Sequence, residues 1–279
     1  MILHNDILSS RNNPTVKWAA SLKDKKGRES SGAFIVEGEK LTYEAISCGL
    51  EITHIFILEG KNEAVIQKLS GYQREGKLKQ CEVFVVKPTV FEKISTEIAP
   101  QGVISVVKHL DFFRRLDIIY KEEFLKKPAE RAIILCSVRD PGNMGAVIRS
   151  SVAFGVGHII VSDDCADVYN PKTLRGAMGS LFRVKVTRVS DLSETVNQIK
   201  LVGRRVFAAE LTEKAMSVAD ANIRKDDIII IGNEGHGIPG ELSSLCNGSV
   251  YIPISTATES LNASVAAAVF MWEQSKLEG

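Results

Sequence analysis

Hydrophobic positions along this chain fall into two stretches of alternating character. Up to about residue 107, apolar runs of four to six residues alternate with segments whose apolar residues recur every third or fourth position. The pattern predicts a helix over Val16–Leu22, a strand over Ala33–Gly38 and an amphipathic helix in "KLTYEAISCG" closed by Gly49. A strand in "ITHIFILE", a helix in "EAVIQKLSGYQ", a strand in "CEVFVVK", a short helix in "TVFEKIS" and a strand over Gly102–Val107 follow. Apolar strands separated by helical periodicity are the mark of βαβ units, and hence of a mostly parallel sheet.

A charged stretch, Lys108–Arg131, interrupts the alternation, and its Phe, Leu and Ile residues suit an amphipathic linker helix. The expected division is a first domain over 1–107, a linker over 108–130 and a second domain over 131–279. Strands of the second stretch are longer and more apolar. "RAIILCSV" precedes a helix over Met144–Phe154, "HIIVSD" one over Pro171–Gly179, and "FRVKVTRV" one over Leu192–Leu201. "RRVFAAEL" runs into a loop, "DIIIIG" precedes a helix near Pro239–Cys246, and "SVYIPIS" leads to a terminal helix in "LNASVAAAVFMWEQSK". Six strands with crossover helices imply an open, doubly wound α/β sheet, whose ligands sit in loops beyond the carboxyl ends of the strands. No internal repeat or low-complexity tract is present.

Charge narrows the picture only locally. The 279 residues carry 35 Lys and Arg against 34 Asp and Glu, so any nucleic-acid affinity must come from a patch. Arg11, Lys17, Lys23, Lys25, Lys26 and Arg28 stand together against Asp24 alone, although on charge by itself this is also the face of a solvated basic helix. The five cysteines are scattered without a CxxC pair, which argues against structural zinc and a disulfide framework and for a reducing compartment. The start of the chain lacks an apolar signal core, and no apolar run is long enough to span a bilayer. A soluble cytoplasmic protein with no membrane partner is expected.

Three loops after strands are unusual. In "SVRDPGNMGAVIRSSVAFG", Asp140-Pro141-Gly142 makes a turn, Asn143 is a candidate N-cap, and Arg149 sits on a helix of small and apolar neighbours. Taken alone, Arg149 is a solvated helix charge. In "IIIIGNEGHGIPGEL", Gly232, Gly235 and Gly237 permit close backbone approach around Glu234 and His236. Their order is not the dinucleotide G-x-G-x-x-G and no Walker lysine follows, so a phosphate cradle is disfavoured and a tight turn into a helix opened by Pro239 is equally compatible. In "YIPISTATESLNASVAAAVF", Ser260 or Asn262 can cap the last helix, whose small residues allow something to approach closely.

Taken together these segments resemble the SpoU (TrmH-type) family of RNA 2′-O-ribose methyltransferases. "NMGAVIRSSVAFG", "IIGNEGHGI" and "IPISTATESLNASVAAA" are similar to the family's three motifs, and "YNPKTLRGAMGSLFRV" to a segment between them. "ILSSRNNPTVKWAASLKDKKGRESSGAFIVEGEKLTYEA" and "PQGVISVV" resemble the small domain many members carry ahead of the catalytic one. Ser151 and Val152 depart from the family's usual Ala and Asp, and the change at Val152 falls on a helix face that bears on the dimer.

The resemblance implies a small ribosomal-protein-like α/β RNA-binding domain followed by a SPOUT domain. That second domain carries a deep trefoil knot, against the general rule for protein chains, binds S-adenosylmethionine and forms a homodimer. It implies donor contacts from the main chain at Gly232, Ile252 and Leu261, with Ala209 and Gly235 beside them, and catalysis centred on Arg149. Asn143, Glu234, Ser260 and Asn262 line the site, with Glu234 fixing either Arg149 or the neighbouring loop. His236 has no expected role. Because guanidinium stays protonated, Arg149 is expected to bind a flanking phosphate and orient the hydroxyl, although the family proposal makes it a base. No metal is implied. Ribosomal RNA, of the large subunit, is the expected substrate; transfer RNA, or a non-catalytic RNA-binding or ribosome-assembly role, are the alternatives. A nucleotide-binding oxidoreductase is disfavoured by the missing fingerprint.

Overall fold

The computed structural model describes residues 1–111, 113–122 and 130–276. They form two compact units, one of Met1–Leu110 with Tyr169–Phe182, the other of Asp111–Val168 with Arg183–Gly279.

The first unit runs β1 (Ile2–Leu3), α1 (Pro14–Ser21), α2 (Lys25–Ser31), β2 (Ala33–Glu37), α3 (Glu39–Ser47), β3 (Ile52–Leu58), α4 (Asn62–Arg74), β4 (Glu82–Val86), α5 (Pro88–Ile94) and β5 (Val103–Lys108). Its sheet has the order β1-β4-β3-β5-β2. Strands β1, β4 and β3 are parallel, but β5 is antiparallel to both neighbours. The sheet is therefore mixed, not mostly parallel. After the short α5 the chain returns to the carboxyl end of β3, where the Leu58 amide donates to the Gly102 carbonyl (2.9 Å), so β5 starts there and runs back. Apolar side chains of α1 and α5, among them Val16, Ala19, Phe91 and Ile94, cover one face against Phe56, Phe84 and Ile104.

From Asp111 onward the elements are β6 (Phe113–Leu116), β7 (Ala132–Leu135), α6 (Pro141–Ala153), β8 (His158–Ser162), α7 (Pro171–Ala177), β9 (Lys185–Val189) and α8 (Leu192–Leu201), then β10 (Val206–Ala209), β11 (Met216–Ser217), β12 (Ile228–Ile231), α9 (Gly240–Ser244), β13 (Gly248–Tyr251) and α10 (Ala263–Ser275). The segment bearing α7 belongs to the first unit. There Tyr169 stacks on Phe34 and His109, each at 4.5 Å, and its hydroxyl accepts from the Leu110 amide at 2.9 Å.

The second sheet has eight strands in the order β11-β13-β10-β12-β7-β8-β9-β6. Every pair in it is parallel. Two strands exceed the six expected. Strand β6 lies where the sequence suggests an amphipathic linker helix and extends the sheet along β9, with Phe113 opposite Val186 and Leu116 opposite Val189. Open donors and acceptors on the β9 edge outweigh the helical periodicity of this short stretch. Residues 112 and 123–129 of the expected linker lie outside the described residues.

Strand β12 is the spine of the second unit. Its four isoleucines are between 0% and 2% exposed. Ile228 and Ile230 face the same cluster as Ile134, Ala208, Val196 and Ile199, the last two from α8. Each such side chain contributes on the order of 1.5–3 kcal/mol on burial. Helices α6 and α10 pack on each other, and α10 also reaches β12. Among the described residues no helix is long and apolar enough to cross a membrane.

Candidate active site

Three loops at carboxyl ends of the parallel strands are held by one carboxamide. The N-cap of α6 is Asp140, not Asn143: the Asp140 carboxylate accepts from the Asn143 amide (2.9 Å), with Pro141 opening the helix. A three-residue reach from Asp140 satisfies one of the open amides of the first turn, so the Asn143 side chain is not needed there. It turns outward instead. Its Nδ2 donates to Glu234 Oε1, and its Oδ1 accepts from Asn262 Nδ2 (3.0 Å). Asn262 in turn caps α10, its Oδ1 accepting from the amide (3.0 Å) and hydroxyl (2.6 Å) of Ser264. Asn143, Glu234 and Asn262 are thus brought together by side-chain hydrogen bonds.

The glycine loop closes on itself. Asn233 and Gly237 exchange backbone bonds (3.2 and 2.9 Å). Asn233 Oδ1 accepts from the amides of Gly235 (2.9 Å) and His236 (3.2 Å), while its Nδ2 donates to the Ser137 carbonyl (2.9 Å). A Cβ at Gly232 would lie 2.5 Å from the Gly237 carbonyl carbon, so this glycine is required by the fold-back. Ser137 adopts φ +59°, a left-handed conformation costly for a residue with a Cβ, and its amide donates to Ser162 Oγ (2.8 Å). Asp164 supports that corner. Burial works against its ionisation, yet hydrogen bonds from Ser162, Arg139 and Ser137 hold its carboxyl down at about 2. Sequence reasoning passed over Asn233 and Ser137. The one available signal was an asparagine before a glycine pair, the usual setting of a side-chain-to-backbone turn.

Beside these loops lies a cavity of about 560 Å³. Ala209, Glu210, Ile252, Ser260, Leu261 and Phe270 are among its walls, whereas Gly232 and Gly235 are not. Ser260 lines this cavity rather than joining the carboxamide clasp. Arg149 is exposed on α6, six residues and hence about 9 Å along the axis from Asn143. It has no hydrogen bond or ion pair among the described residues, so its guanidinium is available to an incoming anion. Four of the five cysteines are poor nucleophile candidates: burial pushes the thiols of Cys81 to about 12 and Cys246 to about 11, and raises those of Cys136 and Cys165. No group of three metal-ligating side chains occurs among the described residues.

The basic segment of the first unit divides in two. Arg11, Lys17, Lys25 and Lys26 are exposed and Lys23 half-buried; burial, foremost, lowers the Lys23 pKa. Arg28 departs from its expected role on RNA. It is 3% exposed, and its Nη1 donates to the carbonyls of Leu22 (2.9 Å) and Lys23 (2.7 Å), capping the end of α1. A guanidinium satisfied inside the fold is not available to a phosphate.

Comparison with known proteins gives two family matches: the SpoU rRNA Methylase family over residues 130–272 and an MRM3-like substrate binding domain over residues 13–105. The 23S rRNA (guanosine(2553)-2′-O)-methyltransferase RlmP of Bacillus subtilis is 30% identical, the match covering 95% of this chain and 97% of that protein. The 23S rRNA (uridine(2479)-2′-O)-methyltransferase of Streptomyces viridochromogenes is 28% identical, covering 95% of this chain and 90% of the relative. In fold, the AdoMet-bound rRNA methyltransferase of Sinorhizobium meliloti superposes with a TM-score of 0.83 at 24% identity over 98% of each chain.

Proposed function

The chain belongs to the SpoU rRNA methylase family and is an S-adenosylmethionine-dependent RNA 2′-O-methyltransferase, and we propose that it acts on large-subunit ribosomal RNA through the residues assembled around Asn143. The observation that carries the site assignment is the Asn143 clasp, which joins the three loops next to Ser260 and Leu261 of the cavity. Two relatives whose names give 23S rRNA as substrate support the choice of RNA.

A cavity of about 560 Å³ suits a nucleoside-sized molecule. S-adenosylmethionine would supply a methyl group on sulfonium, already activated for in-line transfer to a ribose 2′-oxygen, with S-adenosylhomocysteine as the leaving thioether and the hydroxyl proton passing to water. The protein therefore has mainly to align two reactants. Main-chain groups at Ala209, Ile252 and Leu261 hold the donor. The Asn143–Glu234–Asn262 clasp fixes the loops, and Gly232 and Gly235 shape the second of them. Arg149 binds the phosphate flanking the target and orients the hydroxyl. Its planar fork is what a lysine cannot reproduce. Arg149→Lys should lower methyl transfer by about a hundredfold, the scale of a misplaced reactant, with donor affinity unchanged in calorimetric titration. Near-normal transfer by that variant would refute the assignment.

In this proposal residues 1–107 grip RNA through Arg11, Lys17, Lys25 and Lys26, with Lys23 beside them, and residues 131–279 carry the chemistry. The path of the second unit supports the knot implied by the resemblance. Strand β12 is seated between β10 and β7, the chain crosses β10 to form β13, and α10 returns so that Gln274 Nε2 donates to the Asp227 carbonyl (2.7 Å). A homodimer through α6 and α10 belongs to the same proposal. These helices present an apolar groove of about 460 Å³ that includes Ala146, Phe154, Val265 and Trp272. Val265 and Trp272 are each 48% exposed, a costly arrangement unless covered. Val265→Lys with Trp272→Glu should give a monomer in sedimentation where the unaltered chain is a dimer. The proposed compartment is the cytoplasm, where five cysteines outside any disulfide stay reduced.

A further inference from the structure

One acidic side chain in the cavity wall is held in a way that its own packing does not require. Glu210 directly follows β10, and its amide donates to the Val250 carbonyl (3.0 Å), fixing it against β13. Its Oε1 accepts from two hydroxyls on two elements, Ser243 of α9 (2.5 Å) and Ser249 of β13 (2.7 Å). Two such bonds lock the carboxylate plane. The other oxygen, Oε2, has no partner among the described residues, and Glu210 is one of the residues that line the cavity. Among the described residues no Lys, Arg or His lines this cavity, and its ionisable walls include Glu210 and Glu259.

We propose that Glu210 recognises the ribose of the methyl donor by accepting a hydrogen bond from its vicinal hydroxyls, an inference that rests on the cavity being the donor site. An ionised carboxylate can only accept, so whatever meets Oε2 must donate. The donor molecule has three sets of donating groups: the ribose hydroxyls, the adenine amino group and the α-ammonium. Backbone groups at Ala209, Ile252 and Leu261 offer both N–H and C=O, which matches the mixed edge of adenine. Among the side chains of the cavity wall the carboxylates of Glu210 and Glu259 are the acceptor-only groups, and Glu210 is the one held by two hydroxyls. A carboxylate at the carboxyl end of a parallel strand is the group that performs this task in dinucleotide-binding sheets, for the same geometric reason. The two serine hydroxyls hold Glu210 ready, so no side-chain ordering is needed when ligand enters.

The test is calorimetric titration of the full chain with S-adenosylmethionine, S-adenosylhomocysteine, the 2′,3′-dideoxy analogue of the latter, and 5′-methylthioadenosine, which lacks the amino-acid portion. Glu210→Gln keeps the shape and an acceptor for the serines while removing the charge. It should weaken the three ligands with intact ribose about equally, on the order of tenfold for a hydrogen bond to a charged group, and leave the dideoxy analogue unaffected. Ser249→Ala, which frees the carboxylate without removing it, should give a smaller loss in the same pattern. A loss confined to ligands bearing the amino-acid portion would assign Glu210 to the α-ammonium and overturn the proposal. An equal loss for the dideoxy analogue would do so too. If the unaltered chain binds neither S-adenosylmethionine nor S-adenosylhomocysteine, the donor-site reading itself fails, and the role of Glu210 falls with it.

Discussion

The Asn143–Glu234 bond can be reversed in polarity without changing its shape, which makes its contribution measurable. Asn143 donates to a carboxylate, with both groups exposed. A hydrogen bond to a charged group contributes about 1.5–3 kcal/mol, and exposure places this one near the lower limit, about 1.5 kcal/mol. Asn143→Asp removes the donor and sets two carboxylates together, adding about 1 kcal/mol of repulsion in high dielectric. The sum of about 2.5 kcal/mol corresponds to a rate loss of roughly fiftyfold to a hundredfold if loop alignment limits transfer. Glu234→Gln alone should cost only a few-fold, because its amide oxygen still accepts. The pair Asn143→Asp with Glu234→Gln restores the bond in the opposite sense, and the new carboxylate at position 143 still accepts from Asn262. Single-turnover methyl transfer to an RNA transcript should then return to within a few-fold of the unaltered chain. If the double variant is as slow as the product of the singles, with coupling below about 0.5 kcal/mol, the clasp does not align the site.

Two other outcomes follow from close packing and from burial. Gly232→Ala places a methyl 2.5 Å from the Gly237 carbonyl carbon, so the loop must open; both donor affinity and melting temperature should fall, and an unchanged donor affinity would show that the fold-back is not needed for binding. Arg28→Ala should lower stability by about 3 kcal/mol for two bonds from a charged donor, one buried and one partly buried, read as a shift in urea midpoint with little change in the salt dependence of RNA binding. Lys25→Ala and Lys26→Ala should do the reverse, each reducing the salt slope by about one; an unchanged slope in both would remove this segment from the RNA surface.

Most elements were legible because period and length agree. The isoleucine run of β12 is too short and too uniformly apolar for anything but a buried strand, and α10 shows its N-cap in Asn262. Direction and pairing were less accessible. Strand β5 has the composition of a parallel core strand, and its reversal depends on where the preceding loop delivers it, which periodicity does not encode. Strand β6 reads as half a helix because Phe113–Leu116 is only four residues long and gains its order from β9. In the site, residue types were visible and partners were not. Asn143 satisfies every local criterion for a cap, but Asp140 stands three residues earlier and takes the role. Arg28 is indistinguishable in sequence from Lys25 and Lys26, yet it is buried because α1 ends where its guanidinium can reach two carbonyls.

The seat of β12 has a consequence for how the protein is made. Its neighbours β10 and β7 are both synthesised earlier, and β12 lies between them in the finished sheet. Until residue 231 has left the ribosome, the middle of the second sheet is a vacant slot between the open edges of β10 and β7. Closure waits longer still, because α10, which follows every strand of the sheet, packs on β12. A domain whose central strand comes near the end cannot complete its core during translation. Its nascent form exposes the open edge of β7 from residue 135 until β12 arrives, joined by that of β10 from residue 209. A strain short of chaperones should accumulate this chain in aggregates that begin at β7 and β10, well before any loss of the finished enzyme.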